Sequence, residues 1–309
     1  MSLHEYEGFI PVDGYNVWYR SVGGGAGAQE QTPILTLHGG PGVPSAYIED
    51  MTQLASDTRR VILYDQLGCG HSDRPDNPAM WTIQRFVDEL EAVRKELRLD
   101  KIHLWGQSWG GILAIEYALT QPQGLESLTL ASTASSMPTW IAEANRLRDE
   151  LPRDIQNILL RHEAAGTTDD PEYQKAMMAF YERHVIRIVP MPPQVARAFD
   201  TMGQQVYNTM NGPSEFHVIG VIKDWERTNR LHEIKVPTLI TSGYYDESTP
   251  SINETMHKEI VGSEWVLFKQ SSHMAHVEEM ELYMQVMRDF LQRVENTTVL
   301  PSSRTSNPA

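Results

Sequence analysis

The sequence predicts an α/β fold, a mostly parallel central sheet flanked by helices, and three observations predict it. Short apolar runs recur at 33–37, 60–64, 101–105, 125–130, 238–242 and 265–268. Amphipathic helical patterns lie between several of these runs, and the first three runs stop at loops rich in glycine. Apolar strands alternating with helices require a sheet covered on both faces, and ligands then bind outside the carboxyl ends of the strands.

Taken in order, residues 8–20 alternate polar and apolar around Asp13-Gly14, which predicts an N-terminal hairpin followed by a Gly-rich loop at 23–27. The first apolar run ends at His38-Gly39-Gly40-Pro41-Gly42, and the second at Asp65-Gln66-Leu67-Gly68-Cys69-Gly70. Between the second and third, the segment 83–98 puts Phe86, Leu90, Val93 and Leu97 on one helical face. The third run ends at Gly106-Gln107-Ser108-Trp109-Gly110-Gly111, with a helix expected from near Ile112. From 133 to 234 the strand rhythm disappears and the pattern is helical, broken at Pro190-Met191-Pro192-Pro193. The expectation is a core of 1–132 and 235–296, a helical cap of 133–234 over the carboxyl edge of the sheet, and a disordered tail at 297–309, rich in Ser, Thr, Pro and Asn.

A chain of 309 residues suffices for one large domain, or for a core carrying an insertion. Acidic residues outnumber basic ones by 41 to 26, so no surplus of cations exists to neutralise phosphates, and nucleic acid is not an expected partner. No run approaches the ~20 apolar residues that span a bilayer, and the first residues lack the pattern of a secretion signal. No membrane partner is expected, and cytoplasm is the expected location. The one cysteine, Cys69, precludes an intrachain disulfide and fits a reducing compartment.

The chemistry is carried by loops. Gly106-Gln107-Ser108-Trp109-Gly110 matches G-x-S-x-G between an apolar strand and a helix, the context of a nucleophile elbow, and makes Ser108 the candidate nucleophile. An acyl-transfer site also needs two N–H donors for the oxyanion. One is the backbone of Trp109, and the other should come from the loop after an earlier strand, where Gly40 is the candidate. A serine hydroxyl needs an imidazole base oriented by a carboxylate, in the chain order Ser, acid, His. Asp246 follows the run at 238–242 and is the candidate acid. The adjacent Glu247 is expected to point away from the same histidine. His273 is the candidate base, preferred to His276, which is expected to begin the final helix. Asp65 precedes Ser108 in the chain and is read as a brace for the loops around the elbow, and Cys69 as a small buried residue.

These motifs together resemble the proline iminopeptidase family of α/β-hydrolases, similar to the tricorn-interacting aminopeptidase and to L-amino-acid amidases of that group. The resemblance extends to about residue 293 and is carried by His38-Gly39-Gly40-Pro41-Gly42, by Asp65-Gln66 with Gly68 and Gly70, and by the elbow. It implies cleavage of the amide after a free N-terminal amino acid, with no metal or other cofactor. It also implies that Glu215 and Glu247 hold the α-ammonium of a small aminoacyl amide or short peptide. From the residues alone, Glu215 also reads as a helix N-terminal charge after Gly212-Pro213. Gln107 stands where many members carry Gly or Ser, which leaves the preferred N-terminal residue open. An esterase or lactonase on the same fold, and a non-catalytic ligand-binding protein, are the competing readings. The oligomeric state is not legible.

Overall fold

A computed structural model describes residues 3–25 and 30–298. The hairpin turns at Asp13-Gly14, joining β1 (Glu5–Val12) to β2 (Tyr15–Val22), and its second strand pairs antiparallel with β4 (Val61–Tyr64). Every later pairing is parallel. The strands β3 (Ile34–Leu37), β5 (Ile102–Gln107), β6 (Leu125–Ala131), β7 (Thr238–Gly243) and β8 (Glu264–Phe268) complete an eight-stranded sheet in the order β1-β2-β4-β3-β5-β6-β7-β8. All residues of β3, β4, β5 and β7 are buried, as strands covered on both faces must be, including the polar His103 and Gln107 of β5 and Thr238, Thr241 and Ser242 of β7.

The helix α1 (Ile83–Glu96) starts at Thr82, whose hydroxyl accepts the Arg85 N–H, and buries Phe86, Leu90 and Val93. The helix α2 (Trp109–Leu119) is buried nearly all round, so it lies inside the molecule. It begins at Trp109, three residues before the expected start. Ser108 is its N-cap and its carbonyl accepts from Gly111 and Ile112 at 2.8 and 3.2 Å, so the elbow itself starts the helix despite two glycines in the first turn.

Between β6 and β7 the chain runs through α3 (Met137–Arg148), α4 (Arg153–Ala165), α5 (Pro171–His184), α6 (Pro193–Asp200) and α7 (Gln204–Met210), then turns and a short 3₁₀ segment, with no strand of the sheet among them. Trp140, Leu159, Phe180 and Phe216 from this insertion belong to one apolar cluster with Leu104 and Ile240 of the sheet. After β7 come α8 (Pro250–Glu259), the four-residue α9 (Ala275–Glu278) and α10 (Met280–Thr298). His276 therefore lies in a separate helical turn ahead of the final helix instead of beginning it. The final helix also passes the expected start of the tail: Thr297 Oγ1 donates to Arg293 O at 2.9 Å, continuing the helical turn. Residues 299–309 of that expected tail, and 26–27 of the Gly-rich loop, lie outside the described residues. Among the described residues no helix is long and apolar enough to cross a membrane.

Candidate active site

Ser108 stands between β5 and α2 with φ 55° and ψ −123°, outside the regions that L-residues ordinarily occupy. The conformation survives because neighbours hold it: Ser108 N donates to Ala131 O at 2.9 Å, and Thr133 Oγ1 donates to Ser108 O at 2.8 Å. The glycines flanking it permit contact that a side chain would forbid. A Cβ on Gly106 would lie 2.3 Å from Gly110 O, and one on Gly110 would lie 2.1 Å from Leu37 O.

Asp246 and His273 come from the loops after β7 and β8. His273 Nδ1 donates to Asp246 Oδ1 at 2.7 Å, with both side chains buried, and Asp246 Oδ1 also accepts the Ser248 N–H at 2.8 Å. Donation from Nδ1 leaves Nε2 as the basic nitrogen of the neutral ring. Trp140 packs edge-on to the His273 ring, centroids 5.7 Å apart, and lines a crevice with Ser108, Trp109, Gly40 and Glu215.

Glu247 corrects a sequence expectation, because it faces the same histidine as Asp246. Glu247 Oε1 lies 3.7 Å from His273 Nε2, while Asp246 holds Nδ1. Adjacent side chains do diverge, but an imidazole has two nitrogens on different edges, and the diverging carboxylates reach one each. Glu247 is fully buried, and neither carboxylate oxygen has a hydrogen-bond partner among the described residues. Burial pushes its carboxyl well above the usual range, and the charges of Glu215 and Asp246 push it the same way.

Glu215 lies in a turn after α7, where no helix begins, which removes the helix-terminus reading. Its Oε1 accepts from Tyr207 OH at 2.6 Å, and its backbone O accepts from Trp140 Nε1 at 3.0 Å. Burial raises the Glu215 carboxyl, against the opposing effect of the Tyr207 hydrogen bond.

The two oxyanion candidates line the same crevice. Trp109 opens α2, so its N–H has no intrahelical acceptor. Gly40 has φ 110°, and its N–H makes no hydrogen bond to another described residue. His276 is a different kind of histidine. Its ring packs against Tyr47, Trp105 and Tyr283, and burial drops its pKa to about 3, so it stays neutral. Asp65 is occupied by Ser45 and His71: its oxygens accept the backbone N–H of both, the Ser45 hydroxyl and His71 Nδ1. Cys69 is buried and unpaired, its thiol raised well above the usual value by that burial.

Residues 32–280 match the alpha/beta hydrolase fold family. The chain is 42% identical over 297 residues to the proline iminopeptidase of Saccharolobus solfataricus, covering 95% of this chain and 94% of that protein. The chain belongs to the proline iminopeptidase family. Among solved structures of similar chains, VinJ is 41% identical with a TM-score of 0.89, covering 94% of this chain and 99% of its own. The proline iminopeptidase of Mycobacterium smegmatis is 37% identical with a TM-score of 0.86, covering 95% and 100%. The chain is thus a hydrolase, a serine aminopeptidase on the α/β-hydrolase fold.

Within this family site, sequence reasoning missed Tyr47, Trp140 and Tyr207. None sits in a motif, and each reaches the site from an element distant in the chain: Tyr47 from the segment after β3, Trp140 from α3, Tyr207 from α7. Gln107 did carry a signal, since it lies inside G-x-S-x-G.

Proposed function

We propose that Ser108, His273 and Asp246 form the catalytic triad, and that the enzyme releases a free N-terminal amino acid from a small aminoacyl amide or short peptide through an acyl-enzyme. Ser108 Oγ attacks the carbonyl carbon while His273 Nε2 takes its proton. Asp246 holds the ring in the tautomer that leaves Nε2 free and stabilises the imidazolium that forms. The oxyanion develops between the N–H groups of Gly40 and Trp109. His273 then returns the proton to the departing amine, and water, activated by the same nitrogen, hydrolyses the ester on Ser108.

The substrate class rests on one observation, the buried and unpartnered carboxylate of Glu247 close to His273 Nε2. A buried carboxylate without a partner is costly, and a cation beside it recovers that cost. In this reading the α-ammonium of the substrate supplies the cation, shared with Glu215, which lines the crevice beside Ser108. The rest of the crevice is lined by Ile112, Thr133, Met137, Trp140, Asn211 and Ile222, which suits a small apolar N-terminal side chain. The insertion 133–234 acts as the cap that brings Glu215 and Trp140 over a core of 1–132 and 235–296. A reducing, cytoplasmic setting is part of the proposal and agrees with the single unpaired Cys69. The test is kinetic: Glu215→Gln and Glu247→Gln should each depress kcat/KM for alanyl and prolyl p-nitroanilide by at least about tens of fold, and leave a neutral p-nitrophenyl ester nearly unaffected. Equal losses on both substrates would remove the ammonium site from the reading.

A further inference from the structure

Three buried hydrogen bonds run in series across the base of the site. The backbone N–H of Gly39 donates to Tyr47 OH at 2.7 Å, Tyr47 OH donates to Gln107 Oε1 at 2.5 Å, and Gln107 Nε2 donates to His273 O at 3.2 Å. Their direction is forced from both ends. A backbone N–H can only donate, so the phenol oxygen accepts and its own proton is free for Gln107. A backbone carbonyl can only accept, so the other end of the Gln107 amide must present its NH₂. Only one orientation of the amide satisfies both neighbours.

We propose that Gln107 and Tyr47 are positioning residues that clamp the loop carrying the oxyanion donor to the loop carrying the general base. The proposal rests on the roles given above to Ser108, Gly40 and His273. Gly39 immediately precedes the oxyanion candidate, Gln107 immediately precedes the nucleophile, and the bridge ends on the backbone of the base itself. The three catalytic loops come from three strand ends, β3, β5 and β8, and no strand pairing joins β8 to β3 or β5. The side chain of Gln107 supplies a cross-link that the sheet does not. Packing leaves little room for water to replace it. A Cβ on Gly39 would lie 2.8 Å from Gln107 Oε1, 2.9 Å from Tyr47 OH and 3.0 Å from Ser108 Cβ. Tyr47 is buried against the neutral ring of His276, centroids 5.7 Å apart. Hydrogen bonds in such a dry setting hold geometry more firmly than the same bonds in water.

The bridge touches no reacting atom, so its loss should lower turnover and leave binding largely alone. Tyr47→Phe, Gln107→Met and Gln107→Glu, each checked by thermal melting, are compared with wild type on prolyl p-nitroanilide and for the rate of Ser108 labelling by a fluorophosphonate. Misplacement of catalytic groups predicts kcat down about 10–100-fold with KM within about threefold, and labelling slowed in parallel. The double variant Tyr47→Phe/Gln107→Met should fall no more than about twofold below the worse single, because both belong to one chain of bonds. For Gln107→Glu the deficit relative to wild type should narrow as pH falls, because a neutral carboxyl can again accept from Tyr47 and donate to His273 O. Tyr47→Phe keeps the ring and so serves where a Gln107 variant does not fold. Folded variants with kcat and labelling within about threefold of wild type, or losses that multiply in the double variant, overturn the clamp. Wild type that is not labelled on Ser108 removes the catalytic roles themselves, and the clamp with them. Normal labelling of wild type with unchanged variants defeats the clamp alone.

Discussion

Glu247 Oε1 and His273 Nε2 lie 3.7 Å apart, across the imidazole from the 2.7 Å hydrogen bond between His273 Nδ1 and Asp246 Oδ1. The histidine therefore has a carboxylate at each nitrogen, and the two differ in what they lack. Asp246 is hydrogen-bonded to His273 and to the Ser248 N–H, whereas Glu247 has no hydrogen-bond partner among the described residues. In the proposed function Asp246 orients the base, and Glu247 receives the ammonium of the substrate.

That difference separates two substitutions. Asp246→Asn should reduce kcat on the order of 10³–10⁴ for every substrate, because the imidazole tautomer is mis-set whatever the acyl group. Steady-state kinetics on an aminoacyl anilide and a neutral ester should show the same loss for both. A loss confined to the anilide would mean that Asp246 belongs to substrate recognition.

The two histidines that follow β8 should behave unequally. His273→Ala should lower kcat by a factor on the order of 10³ or more, while His276→Ala should act chiefly on stability, by about 2–4 kcal/mol, through lost packing against Tyr47, Trp105 and Tyr283. Turnover of the folded fraction and denaturant midpoints, measured on both variants, separate the effects. Large kcat loss in folded His276→Ala would reassign the base.

Glu247 should make the protein less stable than it would be without a carboxylate there. Its carboxyl is raised in the folded state from an ordinary value of 4.5, so the stability it permits is full below about pH 4.5 and is lost as pH rises toward the raised value. Replacing it removes that loss. Glu247→Gln should therefore gain on the order of 1–3 kcal/mol above neutral pH and much less near pH 4, while losing activity on amine substrates. Denaturant unfolding at the two pH values checks the sign.

Glu295 in α10 should show the opposite dependence. Burial works against its charge, but hydrogen bonds from His103 and Arg59 prevail and bring its carboxyl down to about 2 from 4.5. Stability from this group is present above about pH 4.5 and is lost as pH falls toward 2. Glu295→Gln should cost about 1–2 kcal/mol at pH 7, and the gap to wild type should close on acidification.

Much of this fold is legible in the sequence. Strands covered on both faces favour apolar runs, so those ending at Leu37 and Tyr64 announce β3 and β4, whose residues are all buried, while the run ending at Phe268 forms the more exposed edge strand β8. This fold places its chemistry in the loops after strands, so chain order proposes Ser108, Asp246 and His273, and the structure brings the last two of these into direct contact. The contacts of Tyr47, Trp140 and Tyr207 were not legible, since their partners lie far off in sequence and only packing joins them. Glu247 was misread because a rule about adjacent side chains was applied without regard to the two edges of an imidazole. The α2 boundary was misplaced because Gly110-Gly111 weighs against a helix locally, while the Ser108 carbonyl starts it there.

The central claim is that the enzyme recognises a free α-ammonium, and matched substrates test it most directly. Prolyl and alanyl p-nitroanilide would be compared with their N-acetylated forms on the wild-type enzyme, by kcat/KM at neutral pH. Acetylation removes the cation and leaves the scissile bond in place, so Glu215 and Glu247 would face a neutral amide. A carboxylate deprived of its partner costs about 2–5 kcal/mol, so kcat/KM should fall by at least about 30-fold, down to undetectable cleavage. Equal cleavage of the free and acetylated anilides would contradict the account and leave a general acyl hydrolase in its place.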